Sequence, residues 1–147
     1  MRVSVIGSGN AAPADAETAA TTGRLLAERG HAVVCGGLGG VMAEACRGAR
    51  EAGGRTIGIL PGDDPSAANP HVETAIATGM GNARNVLVVL NGDAAIAVSG
   101  STGTLSEIGH ALDFGRPVAG LDTHDVPGVE AVETPRAAVE YVEREAR

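Results

Sequence analysis

The chain has 147 residues and a formal charge of −7; 44% of its residues are hydrophobic and 1% aromatic. That length is most simply one domain over 1–147, able to bury roughly 70% of its unfolded surface without staples. The acidic balance argues against a nucleic-acid-binding face, and the eleven basic residues are all arginine, which excludes enzymes that need a lysine for a Schiff base or a P-loop.

RVSVIG (2–7) reads as a buried first strand. Pro13 opens a helix that runs to a glycine cap at Gly30. HAVVCGG (31–37) is a second strand, VMAEACRGAREAGG (41–54) a second helix, and RTIGILPG (55–62) a third strand stopped by Pro-Gly. A polar, proline-flanked loop covers 62–70. VETAIATG (72–79) is a fourth strand, NARNVLVVLNG (82–92) a third helix, and AAIAVSG (94–100) a fifth strand. TLSEIGHALDFG (104–115) is the fourth helix and PVAGL (117–121) the sixth strand. A closing amphipathic helix spans 133–147, with Thr134 as cap and Pro135 at its first position.

This alternation predicts an α/β, Rossmann-like three-layer fold with a mainly parallel sheet and helices on both faces. The strands are almost wholly apolar, as a sheet covered on both sides requires. No apolar run approaches a membrane span, and Gly7, Ser8, Gly9 and Asn10 interrupt any signal core. A cytoplasmic protein with no membrane partner is expected. Cys35 and Cys46 read as two buried small hydrophobes. The four histidines are scattered, so no metal site and no resident cofactor are expected.

Ligands of open α/β sheets bind beyond the carboxyl ends of the strands. Three such ends are glycine-rich here: GSGN (7–10), GGLGGVM (36–42) and GSTGT (100–104). Each precedes a helix, whose N-terminus offers free N–H groups and a positive dipole end. Together they favour an anionic ligand, most simply a nucleotide or sugar phosphate. Gly7 and Ser8 fit equally well an ordinary strand-to-helix turn. Ser101, Thr102 and Thr104 suit either phosphate oxygens or the N-cap of the following helix. Glu107 is a first-turn acid favoured by the dipole, a capping-box partner of Thr104, or a functional carboxylate. Arg84 sits early in a helix, where a cation opposes the dipole; it needs a carboxylate or phosphate partner, or else makes a surface salt bridge.

GGLGGVMAEACRGA, GGRTIGILPG, GMGNARN and GSTGTLSEIGHAL, in that order, resemble the Lonely Guy (LOG) superfamily, whose members are often labelled lysine decarboxylases. The resemblance covers nearly the whole chain. It is closest to the short bacterial and archaeal branch that includes molybdenum-cofactor carrier proteins. It implies a Rossmann-like fold and a homodimer or dimer of dimers. For LOG enzymes it implies phosphoribohydrolase activity, which cuts a nucleoside 5′-monophosphate to free base and ribose 5-phosphate. The family's PGGxGTxxE motif falls on 99–107: Gly100, Gly103, Thr104 and Glu107 match, while Ser99 and Ser101 replace its proline and second glycine. The catalytic pair would be Glu107 and Arg84, with Asn85 where a lysine usually follows. Gly36, Gly37, Gly40 and Met42 would line the nucleotide pocket, and a base would stack on Met42 or Met80. A carrier or binding protein for a nucleotide or a pterin phosphate such as molybdenum cofactor is the alternative. Decarboxylation through a lysine Schiff base is excluded by the composition.

Overall fold

The computed structural model describes Met1–Ala146; the last residue of the predicted closing helix, Arg147, lies outside the described residues. Strands β1 (Arg2–Gly7), β2 (Ala32–Cys35), β3 (Thr56–Leu60), β4 (Thr74–Ala77), β5 (Ala94–Val98), β6 (Val118–Leu121) and β7 (Val129–Ala131) form one sheet in the order β4-β3-β2-β1-β5-β6-β7. Every pairing is parallel. The strand order reverses direction between β1 and β5. The carboxyl ends of these two strands diverge there into separate loops, which is the expected place for a ligand.

Helices α1 (Pro13–Glu28), α2 (Val41–Glu51) and α5 (Pro135–Glu145) bury Leu26, Ala45, Cys46 and Val139 against Val3, Val5, Val33 and Ile96 on one face of the sheet. Helices α3 (Asn85–Leu90) and α4 (Thr102–Asp113) bury Val88, Val89 and Ile108 against Ile6, Val34 and Ala97 on the other. Successive strand residues thus feed opposite cores, as the pleat dictates. Helices α1 and α2 touch backbone to backbone. A Cβ on Gly23 would fall 1.9 Å from the Ala45 carbonyl oxygen, and one on Gly48 equally close to that of Ala20.

The expected alternation holds, with local differences. The third helix is shorter than 82–92: Gly81–Arg84 form a 3-10 turn and only Asn85–Leu90 are α-helical. The fourth strand shortens to Thr74–Ala77, and α4 starts two residues earlier than expected, at Thr102. Strand β7 was not foreseen; it is a three-residue edge strand with half-buried and exposed side chains and no apolar run. No described helix is long and apolar enough to cross a membrane.

Candidate functional site

The first two glycine loops fold onto each other. A Cβ on Gly7 would lie 2.6 Å from both the Val98 carbonyl oxygen and Val41 Cγ1, so the end of β1 is pressed against β5 and α2. The Ser8 carbonyl accepts the Val41 N–H at 3.0 Å, and the Ser8 hydroxyl accepts the Asn10 N–H at 3.1 Å. Gly40 holds φ +63°, and a Cβ there would meet the Ser8 carbonyl oxygen at 2.3 Å. The opening N–H of α2 is therefore already satisfied. The α2 N-terminus thus has one N–H fewer to offer a ligand.

The third loop is open and strained. Ser99 sits at φ +50° and Gly100 at φ +124°. A non-glycine residue in the left-handed region costs about 1 kcal/mol or more. Proline, locked near −65°, cannot adopt the Ser99 conformation. The Leu121 carbonyl accepts the Ser99 N–H at 3.0 Å, and Thr123 donates its hydroxyl to the Ser99 carbonyl at 2.5 Å. His124 Nε2 lies 2.9 Å from the Ser101 carbonyl oxygen, which places its proton on that nitrogen. Ser101 is the N-cap of α4, and its N–H donates to Thr104 Oγ1 at 3.3 Å. The reciprocal cap is thus Ser101 with Thr104, so Glu107 is not Thr104's capping partner. Ser101 and Thr102 are exposed, Gly103 is half-buried, and Thr104 is buried. The first-turn N–H groups of Thr102 and Gly103 have no intrahelical acceptor and remain available to an anion.

Arg84 is not a surface ion pair; it is 6% exposed. Its Nε donates to the Ile59 carbonyl at 2.8 Å, its Nη2 to the Gly36 carbonyl at 3.3 Å, and its Nη1 to Asn85 Oδ1. Gly36 is the residue that lets the guanidinium in, since a Cβ there would stand 2.9 Å from Nη2 and 2.8 Å from Met42 Sδ. A Cβ on Gly37 would strike Leu60 Cδ2 at 2.6 Å. Met42 is buried in the core, whereas Met80 is exposed. Asn85 continues the chain of bonds: its Nδ2 donates to Ser106 Oγ at 3.1 Å, and Ser106 donates to the Gly103 carbonyl at 2.7 Å. Arg84 thereby ties the ends of β2 and β3 to the start of α4.

Glu107 is 8% exposed and has no hydrogen-bond partner among the described residues. Burial raises its carboxyl to about 7, and the charge of Arg84 only partly opposes that rise. Burial in turn lowers the Arg84 guanidinium, against the pull of Glu107. The two feel each other's field but make no ion pair. An unpartnered, half-protonated carboxyl at a strand-end crevice can accept a ligand's N–H or donate to its oxygen.

Two features here leave no trace in the residue pattern. The thiols of Cys35 and Cys46 lie 3.5 Å apart in the core, and Cys35 Sγ accepts the Gly37 N–H at 3.3 Å. The Cys46 thiol and the Gly37 N–H stabilise the Cys35 thiolate and lower that group, while the same contact and burial raise Cys46. A cleft of about 550 Å³ opens between the first turn of α1, the connection after β6 and the start of α5. Asp15, Asp122, His124, Asp125 and Glu133 are among its lining residues; none of the predicted site residues is. His124 joins the two regions through its bond to Ser101.

A doubly wound parallel sheet with an open helix N-terminus and a buried carboxyl at its switch point defines an α/β protein of the Rossmann-like class. The chain belongs to the SLOG cluster4 family, whose model matches residues 1–147. It is 43% identical over 142 residues to an uncharacterised protein of Archaeoglobus fulgidus, covering 96% of this chain and 93% of that one. Among solved structures it is similar to the molybdenum cofactor binding protein of Rippkaea orientalis, with a TM-score of 0.91 and 36% identity, covering 97% of this chain and 95% of that one. The molybdenum cofactor carrier protein of Chlamydomonas reinhardtii matches with a TM-score of 0.86 and 30% identity, over 98% and 96% of the two chains.

Proposed function

We propose that this protein binds and carries a pterin phosphate of the molybdenum-cofactor type, and that it does not hydrolyse nucleoside monophosphates. The single observation that carries the reading is the state of Arg84: its guanidinium is held by two backbone carbonyls and Asn85 and does not pair with Glu107. A hydrolase built on that pair would need Glu107 ionised and positioned by Arg84 to stabilise an oxocarbenium-like transition state. Here Glu107 is unheld and half-protonated near neutral pH. The full-length similarity to proteins named for molybdenum-cofactor binding supports the same choice.

In this reading the ligand's phosphate docks on the N–H groups of Thr102 and Gly103, beside Ser101. The heterocycle occupies the adjoining cleft, whose volume suits a small molecule and whose carboxylates suit a hydrogen-bond-donating edge. Gly7, Ser8, Gly36, Gly37, Gly40, Gly100 and Thr104 shape the loops, and Met42 supports them from the core. The whole chain acts as one domain, assembled as a homodimer or dimer of dimers, which sedimentation would measure. Incubation with AMP and related monophosphates, followed by chromatography for free base, tests the catalytic half of the reading. The expected result is no release above a Glu107→Ala control; release that depends on Glu107 would restore the phosphoribohydrolase.

A further inference from the structure

At the opposite, amino edge of the sheet, a second pocket of about 330 Å³ is lined by Arg2, Ala32, Arg55, Ile57, Glu73 and Thr74. The register places its two arginines. Arg2 pairs with Ala32, and Val33 pairs with Thr56 while donating its N–H to the Arg55 carbonyl at 3.0 Å. Arg2, Ala32 and Arg55 therefore lie in one row across three strands. With neighbouring strands about 4.8 Å apart, the two arginine backbones stand roughly 10 Å from each other. Both arginines share the face of Ser4 and Ile57, because side chains alternate along a strand. Ser4 bonds the Val88 carbonyl of α3, and Ile57 packs against the core beneath α3 and α4, which fixes that face. Helix α3 has only six residues and leaves this corner of the sheet bare. The small side chain of Ala32 leaves room between the two cations.

Among the described residues, Arg2, Arg55 and Arg136 are the arginines whose guanidiniums meet no acceptor. Arg24, Arg29, Arg47 and Arg50 hold carboxylates, and Arg84 and Arg116 hold carbonyls. In a chain with 18 acidic residues, two of the three described arginines without an acceptor thus line one pocket. The nearby acids are engaged. Glu73 is bound by Arg50, and Asp93 accepts the backbone N–H of Arg2 at 2.9 Å.

We infer that this pocket is a second ligand site, in which Arg2 and Arg55 clamp a small oxyanion, a phosphate or a carboxylate, over Ala32. Guanidinium forks favour such two-oxygen heads. The volume lies at the low end for small-molecule sites, which fits a small metabolite better than a nucleotide. The site is separate from the glycine loops and does not depend on the carrier reading.

The test is a titration of the full chain, ¹⁵N-labelled, with inorganic phosphate and in parallel with succinate, at ionic strength held constant with sodium chloride. Saturable shifts of the Arg2 and Arg55 Nε–H signals with either anion are expected, and the anion that binds names the head group. Arg55→Gln, an exposed substitution that circular dichroism can certify as folded, should weaken binding about tenfold or more, the scale of a lost charge-assisted bond. No saturable shift with either anion, shifts matched by chloride alone, or unchanged affinity in Arg55→Gln would each overturn the site.

Discussion

Replacing Glu107 with glutamine keeps the shape of the side chain and removes its charge. The native carboxyl is raised from an ordinary 4.5 to about 7 because burial penalises the ionised form more than Arg84 favours it. Below pH 4.5 the carboxyl is protonated in both the folded and unfolded chain and contributes no pH dependence. Between pH 4.5 and about 7 the unfolded chain loses its proton first, so wild-type stability falls as pH rises through that window. Above about 7 the penalty is complete and constant. At about 1.4 kcal/mol per tenfold change in proton affinity, it amounts to roughly 3 kcal/mol as an upper value. Glu107→Gln lacks this term. In the ligand-free protein, the Tm of the variant minus that of wild type should therefore climb from pH 4 to pH 8 and then level off, gaining roughly 5–10 °C for a chain of this size. Thermal melts followed by circular dichroism at half-unit pH steps measure it. A difference that stays flat across the range, or that falls with pH, would refute the burial and isolation of this carboxyl.

The bonding of Arg84 and the strain at Ser99 give two further expectations. Arg84→Ala leaves the buried carbonyls of Ile59 and Gly36 and the Asn85 amide oxygen without their donor. It should lose about 2–4 kcal/mol in urea unfolding and weaken ligand binding as well; an unchanged midpoint would remove Arg84 from its place as the tie between β2, β3 and α4. Ser99→Gly should gain about 0.5–1 kcal/mol, because glycine meets no Cβ strain at φ +50°. Ser99→Pro, which restores the residue typical of LOG enzymes, should lose about 3 kcal/mol or more, since it also deletes the N–H bonded to Leu121. Equal stability of the two variants would show that the loop follows another path.

The layered fold was legible because both faces of the sheet are covered, which turns each long strand into a buried, almost wholly apolar run such as Ala94–Val98, or Val3–Ile6 with Ser4 as its one polar member. Strand β7 was not legible, because three residues at an edge carry no such pattern. The third helix was overread: its apolar run is long, but Gly81 at φ +60° and a 3-10 turn precede it. Glu107 and Arg84 were found by motif and helix position, yet their relation was not. Arg84's partners are carbonyls and the amide of Asn85, and backbone acceptors leave no trace in side-chain spacing. Asn85 reads in the sequence as a departure from the LOG pattern and proves to be the residue that joins Arg84 to Ser106. The two thiols, eleven residues apart, meet only because β2 and α2 pack against each other.

Retention of a pterin phosphate without turnover is open to one direct measurement. The chain has no tryptophan and one tyrosine, so a pterin's own fluorescence can be followed with little background. Protein mixed with a molybdopterin-type phosphate is passed through a desalting column, and the ligand in the protein fraction is quantified and checked for integrity. Close to one intact ligand per chain is expected, reduced in Arg84→Ala. Ligand that elutes wholly apart from the protein, or that is recovered cleaved, would contradict it.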